Sequence, residues 1–594
     1  MFLRHFCYLL LLMTVCACAP GPDSREVSAN PDNRPNILFI LTDDQGIGDL
    51  SLHGNDSIRT PNMDALLMEG AKFDRFYVSP VCAPTRASFL SGQYHPRTGA
   101  IFVTRRRETM AAEVVTIPEH LKKAGYRTGL FGKWHNGATK PYDPAGQGFD
   151  EFLGFSLGHF NDYFNGELEN ERNEIVPFSG DLTDILTDTA IHFMLEDDQP
   201  FFTMLTYQAP HTPVQVADDH WDEVKKRGLT DYNTGIYAMI ESIDEQIGRL
   251  RDSLEAAGKW ENTLVVFSTD NGPNGDRFRL GLKGTKGQVN EGSVRVPFSL
   301  RMPGNHPANG QLFNEPAAHI DLLPTLLEVT DLPRPNDLDG ASLVGLLEGR
   351  EDSEPTRREF IYTFKQGHSF TGYPGSMRNE TVMLVARGPE EFEYYNLVKD
   401  PFQERDLLQD SRSGENGVGI HDRAYEMIEL YQSKIEEVRP DPAIIAPPIN
   451  LDAANGPVRL LAHEGEPAGE TSFNDEYGWA NDYFINLGPE GAAWPIETDE
   501  DRTYSVIIRY HLDTDTARPL VLSTDGGSKV EVALPPAITE EIPVADRVQR
   551  KEVFPRRWAE VTVEGLEIEK GASTLRVSTP LVVGGLWVKE IVLR

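Results

Sequence analysis

From Asn36 onward, short apolar runs alternate with segments whose apolar residues recur at helical spacing. Ile37-Leu38-Phe39-Ile40-Leu41 is one uninterrupted run, and Leu264-Val265-Val266-Phe267 is another. Such runs predict strands covered on both faces, as in a largely parallel sheet. Thr60-Pro61 opens a predicted helix carrying Met63, Leu66, Leu67 and Met68. Tyr237 to Leu254 sets Ile240, Ile243, Ile247, Leu250 and Leu254 at helical spacing. Ile320 to Val329 predicts a further helix, with Pro324 tolerated near its start. The alternation predicts an α/β domain.

After about residue 350 the pattern changes to a smaller α+β unit, ending in a helix over about 422–438. Pro440, Pro442, Pro447 and Pro448 follow and read as a linker. Beyond them Tyr504, Val506, Ile508 and Tyr510 alternate with Ser505, Ile507 and Arg509. Val561 and Val563, then Leu575 and Val577, repeat the theme, and Asp525-Gly526-Gly527 reads as a turn. These short strands predict a β-sandwich. The expected organisation is an export segment over 1–18 and a tether over 19–34. An α/β domain over 35–349, an α+β subdomain over 350–438, a Pro-rich linker over 439–452 and a sandwich over 453–594 follow.

A chain of 594 residues fits two or three domains. Its formal net charge of −36 argues against a general nucleic-acid binder and suits solubility in a salty medium. The same charge repels a polyanion at long range, so any anion site must be built locally. Of the four cysteines, Cys7, Cys16 and Cys18 lie in the first eighteen residues and Cys82 stands alone. Arg4 supplies a basic start, and Phe6 to Val15 an apolar stretch too short for a comfortable membrane span. Val15-Cys16-Ala17-Cys18 resembles a bacterial lipobox with Cys18 as the lipidated residue, while Ala17-Cys18-Ala19 also reads as an ordinary cleavage site. The expectation is a lipid-anchored protein of the bacterial cell envelope, tethered to a membrane surface through Pro20–Arg34.

Both apolar strands are followed by oxygen ligands, Asp43-Asp44 after the first and Asp270-Asn271 after the second. In an open α/β sheet ligands bind beyond the carboxyl ends of strands, which would bring the two pairs to one edge. An all-oxygen set favours a hard cation, Ca²⁺ or Mg²⁺, over zinc. Taken singly, each pair also reads as a cap or a turn. Pro84 suits the first turn of a helix starting just after Cys82, which puts residue 82 at an anion-favouring N-terminus.

Cys82-Ala83-Pro84-Thr85-Arg86-Ala87-Ser88-Phe89-Leu90-Ser91-Gly92 resembles the sulfatase signature. Asn36–Leu50, Thr60–Gly70, Gly132–His135, Ala209–Pro213, Thr269–Gly272, Lys286–Pro297, Asp321–Thr325 and Tyr395–Leu407 extend the likeness in order. Residues from about 35 to 440 thus resemble a formylglycine-dependent sulfatase of the alkaline-phosphatase superfamily. Ser91, Thr85, Ile47 and Ser293 depart from the usual residues without touching the Cys-x-Pro-x-Arg core.

The resemblance implies an alkaline-phosphatase-like domain with a mostly parallel mixed sheet. It implies oxidation of Cys82 to Cα-formylglycine (3-oxoalanine) by a maturation enzyme. Asp43, Asp44, Asp270, Asn271 and residue 82 would hold the metal, Ca²⁺ in preference to Mg²⁺. A hydroxyl of the hydrated aldehyde would attack sulfur, and the second would expel sulfate from the covalent sulfo-enzyme. His135 would be the base for that expulsion, and His211, helped by Lys286, the acid for the leaving alcohol. Lys133 and Lys286 would bind sulfate oxygens, and Arg86 would hold residue 82. His53, His95 and Arg97 receive no role, and Asp321 and Asp400-Pro401 read as structural.

The sandwich lies outside this likeness and resembles jelly-roll carbohydrate-binding modules. Its Tyr477, Trp479, Tyr483, Trp494, Trp558 and Trp587 fit either sugar stacking or a sandwich core. The expected substrate is a sulfated poly- or oligosaccharide, with marine algal glycans suggested by acidity and export. The rivals are a phosphonate or phosphodiester hydrolase on the same fold and a non-catalytic glycan-binding lipoprotein.

Overall fold

Five parallel strands form the centre of a ten-stranded mixed sheet, in the order Thr263–Thr269, Asn36–Thr42, Phe201–Thr206, Arg127–Lys133, Glu151–Phe155. This computed structural model describes residues 34–594, apart from 351–352, 354–357, 366, 412–417, 453–455 and 476–477. The export segment with Cys7, Cys16 and Cys18, most of the tether, and Tyr477 therefore lie outside the described residues. Among the described residues no helix is long and apolar enough to cross a membrane.

The continuous apolar run at 37–41 is explained by cover on both faces. Ile37, Phe39 and Leu41 point into one core with the helices Cys82–Ser91, Ile117–Lys123 and Leu322–Val329. Leu38 and Ile40 point into the other, with Pro61–Glu69, Leu182–Leu195 and Asp231–Ala256. In the last helix the stripe Ile240, Ile243, Ile247, Leu250 and Leu254 is buried throughout. Met68 departs from its expected place. It is 53 % exposed, because the buried stripe of its helix runs through Met63, Leu66 and Leu67.

Register decides what the sheet delivers to its edge. Thr42 stands beside Thr269, and Gly132 beside Thr206. The residues that follow these strands therefore emerge together. Gly132 is required here. Its φ is +117°, and a β-carbon would fall 1.9 Å from the Thr206 carbonyl oxygen.

The α+β region holds a four-stranded antiparallel sheet, Ile361–Phe364, Gly375–Arg378, Val382–Gly388 and Glu391–Asn396. The helix Val418–Glu437 covers it with Met427, Tyr431 and Ile435. The C-terminal region is two six-stranded sheets facing each other, with Trp494, Val506, Ile508, Leu522, Leu575, Val577 and Val588 in the core between them. Trp494 is thus a core residue, whereas Trp479, Trp558 and Trp587 are half-buried.

The proline cluster expected as a linker is held by hydrogen bonds to its neighbours. Arg106 donates to the carbonyls of Ala446 and Pro447, each at 2.9 Å, and Ile449–Asn450 joins the sandwich beside Ala492–Thr498.

Candidate active site

Asp43-Asp44 and Asp270-Asn271 leave the sheet side by side, as the Thr42–Thr269 register requires. The Asp44 N–H donates to Asp270 Oδ1 at 3.2 Å, and the Asn271 amide donates to Asp44 Oδ1 at 2.7 Å. Asp44 and His135 both sit at φ +66°, in the left-handed region. That conformation costs a residue with a β-carbon about 1–2 kcal/mol and gathers at functional sites.

Cys82 is the first residue of its helix rather than the residue before it. Its thiol lies at the end where backbone N–H groups lack partners and the dipole is positive. Cys82 Sγ, one carboxylate oxygen of Asp43 and one of Asp270 lie within 4.8 Å of one another, as do ligand atoms of Asp43, Asp44 and His211. One turn along, Arg86 donates to Asp270 Oδ2 from Nε (3.1 Å) and Nη2 (2.8 Å), and to the Lys133 carbonyl from Nη1 (2.9 Å). Lys133 ends its strand and pairs with Asp43 at 2.5 Å. Lys286 pairs with Asp44 at 2.6 Å.

Three carboxylates thus face three cations at a site where Asp43, Asp270, Lys133 and Arg86 are buried. Buried charges persist only when matched this way. Burial, with Asp43 alongside, pushes Asp270 up to about 6. For Asp44 burial works the same way, but Lys286 and His211 outweigh it and hold the carboxyl below its ordinary range. Burial raises the Cys82 thiol against the pull of Lys133 and Lys286.

Asp43 Oδ1, Asp44 Oδ2 and Asn271 Oδ1 are buried with no hydrogen-bond partner. Orphaned buried oxygens are costly unless something positive binds them. Asp43 and Asp44 offer ligand atoms within 4.8 Å of each other and Asn271 is hydrogen-bonded to Asp44, so these oxygens fit a hard divalent cation.

Two histidines flank the cluster. His135 Nε2 donates to the Val103 carbonyl at 3.0 Å, which leaves Nδ1 as a buried acceptor with no partner. Burial, and then Lys133, keep its ring neutral. Gly158 makes room for it, since a β-carbon there would lie 2.6 Å from Nε2. His211 donates from Nδ1 to the Thr212 carbonyl at 2.7 Å, turning Nε2 toward Asp44 Oδ2 at 3.8 Å. Burial, with Lys286, lowers it to about 4.

Asp43, Asp44, Cys82, Arg86, Lys133, His211, Asp270, Asn271 and Lys286 therefore share one site. His135 stands beside it without a hydrogen bond to the others among the described residues. His53 and His95 bond the carbonyls of Ile47 and Ala100, and Arg97 pairs with Asp339 and Glu437. Asp321 accepts from the N–H groups of Ala318 and Ala341, and Asp400 from those of Glu404 and Arg405.

Sequence reasoning missed three neighbours. His159 stacks on His211 with ring centroids 6.1 Å apart. Arg277 pairs with Asp49 and donates to the Asp44 carbonyl. Glu552 of the C-terminal region bonds the Thr212 side chain and bears electrostatically on both His159 and His211. None of these sits in a motif.

Two family models match the chain, "Sulfatase" over residues 35–332 and "N-sulphoglucosamine sulphohydrolase, C-terminal" over 285–433. The ulvan-active sulfatase of Formosa agariphila is 28% identical over 432 residues, covering 67% of this chain and 82% of that protein. Human arylsulfatase A is 31% identical over 439 residues, covering 63% of this chain and 83% of its own. The crystal structure of Ps i-CgsB superposes with a TM-score of 0.60 at 28% identity, over 67% of this chain and 93% of that one. With a family model spanning half its length and the acidic, cysteine-headed site at the matched sheet edge, the chain belongs to the sulfatase family and is a sulfatase.

Proposed function

We propose that the protein hydrolyses sulfate esters on a sulfated carbohydrate, with Cys82 acting after oxidation to formylglycine beside a bound Ca²⁺. The observation that carries this reading is the convergence of Cys82 Sγ with Asp43 and Asp270 at a helix N-terminus, ringed by Lys133, Lys286 and Arg86. A buried, protonated thiol is a weak nucleophile, which favours conversion to another group before chemistry begins.

Asp43, Asp44, Asp270 and Asn271 would hold the cation. When bound, it supplies positive charge that eases deprotonation of a nearby hydroxyl and offsets the substrate's negative charge. Lys133 and Lys286 bind sulfate oxygens, and Arg86 keeps residue 82 and Asp270 in fixed relation. His135 Nδ1 accepts the proton that must leave residue 82. His211 Nε2 is bare in the tautomer that donates from Nδ1, so it supplies the leaving oxygen's proton as the imidazolium, which the Asp44 carboxylate beside it favours.

The ulvan-active relative and the structure of Ps i-CgsB "in complex with k-i-k-neocarrahexaose" favour an algal-type sulfated glycan over a small aryl sulfate. We further propose envelope attachment through lipidated Cys18, on the strength of the lipobox-like Val15–Cys18 sequence. Peptide mass spectrometry over residue 82, after co-expression with a formylglycine-generating enzyme, tests the reading. The aldehyde is expected; a thiol in fully active protein would overturn it.

A further inference from the structure

Residues 535–558 connect two sandwich strands, Lys529–Leu534 and Ala559–Ile568, yet they reach the catalytic domain. The backbone N–H of Arg547 donates to the Val214 carbonyl at 2.9 Å, and its Nε to the Val216 carbonyl at 3.0 Å. Gln215 donates from Nε2 to Asp546 Oδ1 at 2.8 Å, and Arg550 from Nη2 to the Asn161 carbonyl at 3.1 Å. These partners lie on two loops. One follows Phe201–Thr206 and carries His211; the other follows Glu151–Phe155 and carries His159.

Asp546 and Arg550 close this seam into a circuit. Arg550 holds both Asp546 oxygens, Nε on Oδ2 and Nη2 on Oδ1, each at 2.7 Å, and its side chain is buried. Gln215, held by Asp546, accepts at Oε1 from the Tyr163 N–H at 2.8 Å. The Tyr163 hydroxyl then donates to the His211 carbonyl at 2.7 Å. On the other branch Arg550 anchors Asn161, whose Oδ1 lies 3.2 Å from His159 Nε2. The His159 ring stacks on that of His211, with 10° between their planes. Both branches therefore end on His211.

His211 has reason to be held from outside. Its Nδ1 is bonded to the carbonyl of the next residue, Thr212, so the ring moves with its own loop. Where the loop sits then decides where Nε2 points. A buried Arg–carboxylate pair adds little stability over apolar packing of the same volume, but its fork fixes both partners in one plane.

We propose that Arg550 and Asp546, both supplied by the C-terminal sandwich, are positioning residues for leaving-group protonation: they lock the His211 and His159 loops together and so fix His211 Nε2 against the departing oxygen. The proposal rests on the acid role of His211 given above. It gives the sandwich a part in the chemical step.

The test uses the matured full chain in two variants. Asp546→Leu with Arg550→Met exchanges the ion pair for apolar groups, a change that buried pairs commonly tolerate. Tyr163→Phe keeps the buried ring and cuts the bond to the His211 carbonyl, so it carries the test even if the paired variant does not fold. On an ulvan or carrageenan oligosaccharide the paired variant is expected to lose about 10- to 100-fold in kcat, the scale of a misplaced acid, with KM little changed. Tyr163→Phe should lose about fivefold, the scale of one hydrogen bond. On a nitrophenyl sulfate, whose leaving group needs no proton, both losses should stay within about twofold. Added to His211→Ala, either change should cost nothing further on the oligosaccharide. Equal losses on the two substrates, an unchanged oligosaccharide kcat in Tyr163→Phe, or full additivity with His211→Ala would overturn the positioning role. If His211→Ala itself lost equally on both substrates, the acid role would fall and the positioning role with it. A selective loss in His211→Ala without one in the folded variants would overturn the positioning role alone.

Discussion

Arg86 grips Asp270 with two guanidinium nitrogens on one carboxylate oxygen, Nε at 3.1 Å and Nη2 at 2.8 Å. Both side chains are buried, and Nη2 also lies 3.8 Å from Asp43. The helix that presents Cys82 is thereby tied to the strand end that presents Asp270. Arg86→Ala would leave the buried Asp270 carboxylate without its cationic partner, while Asp43 keeps Lys133. It is expected to destabilise the protein by about 3–5 kcal/mol. Arg86→Lys keeps the charge but loses the fork and the bond to the Lys133 carbonyl, so it should still be damaging. Denaturant unfolding of the three proteins checks this; a loss below about 1 kcal/mol for Arg86→Ala, the scale of a surface pair, would refute it.

The two strand-end motifs were legible because both of their ingredients are local. Apolar runs at 37–41 and 264–267 announce buried strands, and a pair of oxygen ligands after each, Asp43-Asp44 and Asp270-Asn271, announces the edge. What no local pattern contains is the register that sets Thr42 beside Thr269, or the path of residues 535–558 back to His211. That path has no periodicity. It is fixed by hydrogen bonds such as Gln215 to Asp546, between residues 331 positions apart. The same reason hid the packing of the proline cluster, whose partner Arg106 lies in a distant loop.

His211 should matter in proportion to the leaving group. Sugar alkoxides need a proton as they depart, whereas aryl oxides leave without one. His211→Ala is expected to lower kcat on a sugar sulfate by about 100-fold or more, the scale of general-acid catalysis, and on an activated aryl sulfate far less. Parallel kinetics on the two substrate classes give the answer. Equal losses would remove His211 from the acid role.

The orphaned oxygens of Asp43, Asp44 and Asn271 lead to a metal prediction. Exhaustive chelation should abolish turnover and lower Tm, because a ligand that binds only the folded state stabilises it. Added Ca²⁺ should restore both. Asp44→Asn, which removes one carboxylate charge from the ligand set, should need more Ca²⁺ to reach the same Tm. Activity and Tm indifferent to chelation would contradict the site.

A pH effect is expected where the catalytic domain meets the sandwich. Arg106 donates to the Glu464 carbonyl at 2.9 Å, while burial and the neighbouring Glu108 push the Glu464 carboxyl up to about 8. Between its unfolded value of 4.5 and about 8, the folded chain keeps a proton that the unfolded chain has released. Stability contributed by this group is therefore present below the lower value and lost as pH rises through the window. Glu464→Gln should flatten that decline and raise Tm at pH 8 relative to wild type by about 2–4 °C, with little difference at pH 5. Thermal melts across the range decide it, and parallel wild-type and mutant profiles would refute it.

The most direct test of the central claim is sulfate release from a sulfated algal oligosaccharide by matured wild type and by Cys82→Ala, with a phosphodiester offered in parallel. The expected result is sulfate release by wild type, its complete loss in a folded Cys82→Ala protein, and much slower cleavage of the phosphodiester. Undiminished sulfate release by Cys82→Ala, or a wild-type preference for the phosphodiester, would contradict the account.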